Sequence, residues 1–550
     1  MTTLNEVVIE SVGYPGTYNE NLFVWAGGVP GQTLDEALAA KLGGSGSISD
    51  RWHTYLNSQG VPAGTLNERM ISFFSGSMST YLLTSGDSWV AFPLGWEDKI
   101  GAYIPNLTLY AQAANGSRLY GAGQIMDRLQ DNIDTPRGPY TDIAIEGGIN
   151  DLANDPLGFT LTLLKQSLVT RIDSCFGGGY YDVTLVSMPC MQDVFDTPGN
   201  VWYDMVQTNP AIPSYIADFD DWAEAYCAAV GVKFCNINQA PFADGNYYPL
   251  PGMSSAAHPT TAGGNAICSI LAPLLTAAPI ARTPAMDVIL SRPNRHLLTA
   301  ADMTRITDIV TGLGDEFTSD QTVELWDLGQ TDVSAGGNAL TGLKNNTEFL
   351  PRSGLAGTTP VSPTHNATPG SEGVQLTSGR YLRQDSFAPA DLGRTFAAGV
   401  IYHVNPASSG FSMIGSHQDV NEDAFQLLGI ANTDVDGYGL CSVGSVVRVR
   451  SSTNPSTLIH KAVELRTTQI DSANQQVVIY ESGAIVDNGT TNNISRTYSG
   501  ALSTNTLVFN GLQTDFGYAA APTFTVTLGL AYITDGTTDP SLWASVLEGL

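Results

Sequence analysis

Between about residue 80 and residue 282, short apolar runs alternate with longer amphipathic stretches, and this alternation leaves few folds open. The strand candidates are Tyr81–Leu83, Leu107–Ala111, Ile143–Ile145, Val183–Ser187 and Val232–Asn236. Helical patterns fall between them, near Gln124–Gln130, Phe159–Ile172 and Ile216–Val230, and a last one follows Thr261. Strands separated by helices cannot pair as hairpins. They predict a parallel sheet covered by helices on both faces. In such a sheet the loops at the carboxyl ends of the strands build the ligand site.

The pattern stops after 282. Residues 283–318 read as a Pro-punctuated linker with one helix over Ala300–Leu313. From 319 to 550 short β-rich runs, such as Thr395–Val404, Phe425–Ile430, Val446–Arg450, Gln476–Tyr480 and Phe524–Ile533, follow one another across Gly, Asn and Asp turns. Strands spaced this way without helices predict an all-β sandwich or jelly roll, closed by a short helix over Pro540–Leu550. Residues 1–79 hold a third pattern. Thr33-Leu34-Asp35-Glu36, Ser47-Ile48-Ser49-Asp50 and Thr65-Leu66-Asn67-Glu68 each read as a helix start. In each, a hydroxyl caps the free amides and an acidic side chain three residues on answers it. Helices this brief must pack on one another or on a partner, either as a small cap on the next domain or as a docking module.

Charge narrows the partners. Lys and Arg number 24 against 53 Asp and Glu, a net −29, which argues against nucleic acid and against an anionic membrane surface. The amino terminus has neither a basic start nor an apolar core, so no secretory signal is expected. The longest apolar run, Ile267 to Ala281, is interrupted by Ser269, Pro273 and Thr276 and is too short to span a bilayer. Six cysteines show no metal-ligand spacing; they read as buried free thiols or, alternatively, as a disulfide such as Cys227 with Cys235.

Chemistry gathers at three strand ends. Ser88 stands in Ser85-Gly86-Asp87-Ser88-Trp89 after the first strand, where a strand-to-helix turn exposes Oγ beside backbone amides. Gly116, in Ala114-Asn115-Gly116-Ser117, offers an unobstructed N–H after the second strand. Asn150, in Glu146-Gly147-Gly148-Ile149-Asn150-Asp151, offers a side-chain amide after the third. His258, in His258-Pro259-Thr260-Thr261, precedes the last helix and is placed to reach the strand ends as a base.

Taken together, Gly86-Asp87-Ser88, Gly116, Gly148-Ile149-Asn150-Asp151 and His258-Pro259 resemble, in order, the four blocks of SGNH/GDSL hydrolases over about 200 residues. The resemblance implies a flavodoxin-like α/β/α domain over 80–282 and a carboxylic ester hydrolase. It implies Ser88 as nucleophile, His258 as general base, and the Ser88 amide, the Gly116 amide and Asn150 as the oxyanion hole. It implies no metal and no organic cofactor. One departure stands out: where the family has aspartate three residues before the histidine, this chain has Ser255. Either Ser255, a backbone carbonyl or another acid such as Asp244 orients His258, or the site is impaired.

The flanks carry looser resemblances. Val323-Glu324-Leu325-Trp326-Asp327 and Glu372-Gly373-Val374-Gln375-Leu376 resemble the start and an inner strand of laminin-G/concanavalin-type jelly rolls, some of which bind carbohydrate. The amino-terminal repeats resemble helix units found at the start of virion proteins of tailed bacteriophages. Together these imply a virion spike or fibre carrying an O-acetylesterase for host surface polysaccharide. Such a protein is made in the host cytoplasm, docked to other virion proteins through 1–79, and forms a homo-oligomer, with trimers common among spikes. Two alternatives stay open: a non-catalytic receptor-binding spike that keeps the hydrolase fold, and a cellular carboxylesterase or lipase with an accessory domain.

Overall fold

The computed structural model describes residues 8, 17–26, 32–42, 47–58, 66 and 70, and residues 81–319 apart from 92–94, 105–106, 121–124, 135–140, 155–159 and 256–257. After 319 it describes the strands, a few residues beside them and 539–548. Contacts divide the chain into two compact units. One comprises Met1–Ala223 with Gly231–Ala281, and the other Glu224–Val230 with Arg282–Leu550. Among the described residues no helix is long and apolar enough to cross a membrane.

The described residues of the first unit include the helices α1 (Tyr18–Trp25), α2 (Leu34–Leu42) and α3 (Ile48–Ser58). At α2 the Thr33 amide donates to the Glu36 carboxylate at 2.8 Å and the Glu36 amide donates to the Thr33 hydroxyl at 3.3 Å, a reciprocal capping box. Thr17 and Glu20 form the same box on α1, a pair with the same spacing that the repeat pattern had not included. Leu22, Leu38, Leu42 and Trp52 form a core of their own with Val8 and Met70. Trp25 stacks on Trp52 with ring centroids 5.1 Å apart. The third copy, Thr65 to Glu68, lies largely outside the described residues.

Five parallel strands follow: β1 (Tyr81–Ser85), β2 (Thr108–Ala111), β3 (Asp142–Ile145), β4 (Val183–Val186) and β5 (Lys233–Cys235). Their order is β2-β1-β3-β4-β5. Every residue of β3 and β4 is buried, Asp142 and Thr184 included, which explains why they read as mainly apolar runs rather than alternating ones. The connecting helices include α4 (Ile125–Asp134), α5 (Ile149–Asn154), α6 (Leu161–Gly177) and α7 (Ile212–Val230), with α8 (Thr261–Leu275) closing the domain. Connections leave β1 toward one edge and then run to the other. With right-handed crossovers, such a reversal distributes helices over both faces and opens a crevice between the carboxyl ends of β1 and β3. Cys175, Cys190, Cys227, Cys235 and Cys268 are buried free thiols, so Cys227 and Cys235 are not bridged.

The second unit begins with α9 (Pro284–Ser291) and α10 (Ala300–Leu313), the latter capped reciprocally by Thr299 and Asp302. Its strands then form two large antiparallel sheets. Among the described strands the first, Thr322–Asp327, pairs with the last, Val526–Asp535, which also pairs with Phe396–Val404. On the closing helix α11 (Pro540–Leu547), Trp543 stacks on Tyr532 at 3.9 Å. The Tyr532 hydroxyl lies 2.9 Å from Nε2 of the buried His460.

Candidate active site

The site starts where β1 ends. Asp87 turns the chain: its carbonyl accepts from the Val90 and Ala91 amides at 3.2 and 2.9 Å, and its Oδ1 accepts from the Trp89 amide at 2.9 Å. This is an Asx-turn, and it presents Ser88 at the tip, partly exposed. Gly86 makes the bend fit beside β3. A Cβ there would meet Val90 Cγ2 at 2.3 Å and the Glu146 carbonyl at 3.2 Å.

His258 arrives on a two-strand ladder. Ser254–Ser255 (β6) pairs antiparallel with His258–Pro259 (β7), Ser255 opposite His258. The ladder is anchored on the next helix. The Thr260 amide donates to the Met253 carbonyl at 2.9 Å, and the Thr260 hydroxyl accepts from the Gly263 amide at 3.1 Å, capping α8. The outcome is that His258 Nε2 lies 2.9 Å from Ser88 Oγ, between residues 170 positions apart in sequence.

Asn150 opens α5 after a turn in which Gly148 takes φ +123°, a conformation other residues rarely adopt. Its side-chain nitrogen donates to Asp87 Oδ2 at 2.9 Å and to the Ser117 carbonyl at 3.1 Å. The loops after β1, β2 and β3 are thereby tied together through one side chain. Asp151 ties the second loop again, accepting from the Leu119 and Tyr120 amides at 2.7 Å each. Gly116 is exposed with φ +74°, and neither its amide nor that of Ser88 has an acceptor among the described residues. Two free N–H groups therefore sit on loops that Asn150 laces to the Ser88 turn. Both protons of Asn150 are already engaged.

Neither side chain suggested as the orienter of His258 bonds to it. Ser255 is exposed, and its hydroxyl makes no hydrogen bond to His258 among the described residues. Asp244 turns its carboxylate on its own loop, accepting from the Asn246 and Tyr248 amides at 2.7 and 3.3 Å. These bonds hold its pKa below the usual carboxylate range. The reason is local: an aspartate two residues before an amide in a Gly/Asn turn closes an Asx-turn more readily than it reaches across a domain. Sequence reasoning had quoted Asp87 and Asp151 without giving them roles. The Asp-x-Trp spacing was a readable turn signal, whereas the Asp87–Asn150 bond spans 63 positions and left none.

The floor of the site is acidic. Asp87, Glu146, Asp151 and Asp220 are buried. Burial pushes Asp87 and Asp151 up to about 6, against the hydrogen bonds that each accepts, and it pushes Glu146 and Asp220 well above the ordinary range. At the other end of the sheet Asp142 is raised to about 8, by burial and by the neighbouring Asp182. All five folded-state values lie above those of the unfolded chain. The folded form thus keeps protons that the unfolded form releases. Their stabilising contribution is complete below about pH 4. It declines through about 6 for Asp87 and Asp151 and about 8 for Asp142. The thermal midpoint at constant ionic strength is expected to fall between pH 5 and pH 8.5; a flat or rising profile would contradict this reading of the buried carboxyls.

No protein-family model matches the sequence, and no curated protein matches it either. Solved structures do resemble parts of the chain. A G-D-S-L-family lipolytic protein from Desulfitobacterium hafniense is 14% identical, covering 36% of this chain and 99% of its own, with a TM-score of 0.27. A GDSL-like lipase from Bacteroides thetaiotaomicron is 15% identical over 41% of this chain and 96% of its own, with a TM-score of 0.29. A sialidase from Trypanosoma rangeli is 12% identical over 45% of this chain and 39% of its own, with a TM-score of 0.30. Likenesses at these scores add nothing to what the strand order and the Ser88–His258 geometry already say.

Proposed function

We propose that the chain is a serine esterase that removes O-acetyl or similar short acyl groups from a surface polysaccharide. The observation that carries the reading is the 2.9 Å approach of His258 Nε2 to Ser88 Oγ at the carboxyl end of a parallel sheet. In the proposed reaction His258 takes the Ser88 proton while Oγ attacks the ester carbonyl carbon. The Ser88 and Gly116 amides receive the oxyanion, and Asn150 joins them by exchanging its bond to the Ser117 carbonyl for the new oxygen. The intermediate collapses, the sugar alkoxide leaves with the proton from His258, and an acyl-serine remains. Water, deprotonated by the same histidine, then releases the acid. Ser88 and His258 act as a dyad, with a backbone group rather than Ser255 or Asp244 orienting the ring.

The polysaccharide and the setting are supported by the flanks. Capped amino-terminal helices with a core of their own suit a docking element over 1–79. A long antiparallel strand region over 319–550 suits contact with glycan. Neutral sugar bearing esters also agrees with a net −29 chain better than phosphate-rich partners do. We read the whole as a homo-oligomeric virion spike that carries its esterase to the host surface. The exposed Ser255, whose hydroxyl makes no hydrogen bond to His258 among the described residues, favours one other reading, a spike that binds the same polysaccharide without cleaving it.

Acetate released from O-acetylated bacterial surface polysaccharide by the full chain decides between them. Release that ceases on chemically de-O-acetylated polysaccharide supports the esterase. Binding without release, together with no hydrolysis of p-nitrophenyl acetate, would overturn it in favour of the non-catalytic spike.

A further inference from the structure

Directly beneath the Ser88 turn lies a carboxyl group with no use in the proposed reaction. Glu146 follows β3, its amide donating to the Ser85 carbonyl at 3.0 Å, and its side chain is shut off from solvent at 1% exposure. Both carboxyl oxygens are buried without a well-formed hydrogen bond among the described residues, and the one backbone amide that favours the charged form, that of Asp87, is outweighed by burial and by the Asp87 charge. A carboxylate in that position would be poorly compensated, which burial makes costly. The charged groups bearing on it come from two other elements, Asp87 after β1 and Asp220 on α7, and both are acidic. They add repulsion to burial. A neutral acid removes both penalties, provided that its O–H finds an acceptor. The Asp87 carboxyl, in direct interaction with it, is that acceptor.

We propose that Glu146 carries a proton and donates it as a hydrogen bond to the Asp87 carboxylate, so that Glu146, Asp87 and Asn150 form a chain holding the Asn150 amide beside Ser88. The balance is one proton between two carboxyls, as expected where neighbouring acids share a buried site. Asp87 then accepts from three directions: Glu146, the Trp89 amide at 2.9 Å and Asn150 at 2.9 Å. Glu146 is a positioning residue. It touches no substrate, and ionising it would set two negative charges against each other and loosen the acceptor on which Asn150 is hung. This role rests on the esterase reading, but the protonation itself does not.

The test compares Glu146→Gln with Glu146→Ala in the full chain. Gln keeps an N–H donor toward Asp87 and never ionises. The wild type is expected to lose kcat/KM on p-nitrophenyl acetate at alkaline pH as Glu146 gives up its proton. E146Q is expected to keep at least about one third of the neutral-pH rate and to lose that alkaline limb. E146A is expected to fall about tenfold or more at every pH, the order that one lost hydrogen bond to a charged group commands. Should E146A not fold, E146Q carries the comparison alone. A second measurement needs no turnover: the infrared carbonyl band of a neutral carboxylic acid at neutral pH, present in the wild type and diminished in E146Q. An alkaline limb unchanged in E146Q, or an unchanged carbonyl band, would overturn the proposal. If the chain shows no esterase activity at all, the infrared result still decides the protonation, so the two failures are told apart.

Discussion

Replacing Ser88 with alanine is expected to lower ester hydrolysis by about 10⁴-fold or more while leaving the fold intact. The oxygen removed is the one 2.9 Å from His258 Nε2, and nothing else among the described residues bonds to it. Losing it therefore removes chemistry rather than packing. His258→Ala should cost about as much, and the double variant little more than either alone, because the proposed nucleophile and base would act as a unit. Any residual rate above water would come from the oxyanion donors. Kinetics on p-nitrophenyl acetate, with circular dichroism to verify folding, make the measurement. A Ser88→Ala protein that retained a tenth of the activity would place the nucleophile elsewhere.

Gly263→Ala should produce the largest loss of stability for the smallest change in side chain. Gly263 sits in the first turn of α8, and a Cβ there would come within 1.9 Å of the Met253 carbonyl oxygen and 3.1 Å of Phe242. The oxygen is backbone, fixed by the hydrogen bond it accepts from the Thr260 amide, so it cannot rotate away. Overpacking of this kind costs about 3 kcal/mol, read as a lower denaturation midpoint at unchanged slope. The same carbonyl anchors the ladder bearing His258. The surviving folded protein should accordingly lose kcat more than substrate affinity. Wild-type stability in this variant would show that the hairpin yields freely, and the account of how His258 is delivered would fail with it.

The parallel domain was legible because its signals are local and periodic. Buried strands such as β3 and β4 are mostly apolar, with only Asp142 and Thr184 polar, and helices carry their own start signals, such as Thr261 after Thr260 or Ala300 after Thr299. Residues 319 onward announced antiparallel strands for the opposite reason, turn residues at short intervals with no helical period between. Ser88 and His258 stood out as polar residues at the ends of such elements. What stayed hidden was pairing between side chains from separate elements. Nothing local marks Asp87 as the acceptor for Asn150, or Glu146 as an acid shut off from solvent. Asn150 was read as a free donor, yet the structure commits both of its protons. Ser255 was offered by spacing alone, and the ladder leaves it exposed. Asp244 could have been read correctly, since its Asp-Gly-Asn context favours a turn of its own.

The strand order has one further implication, for when the protein becomes competent. Ser88, the proposed nucleophile, hangs from an inner strand formed early in the sequence, while His258, the proposed base, is delivered from beyond the edge strand, 170 positions later. Sequence-distant partners meet only after the intervening loops have closed. The proposed esterase activity would accordingly be a property of the completed sheet, and in a refolding chain it should be regained last, behind the recovery of helical structure.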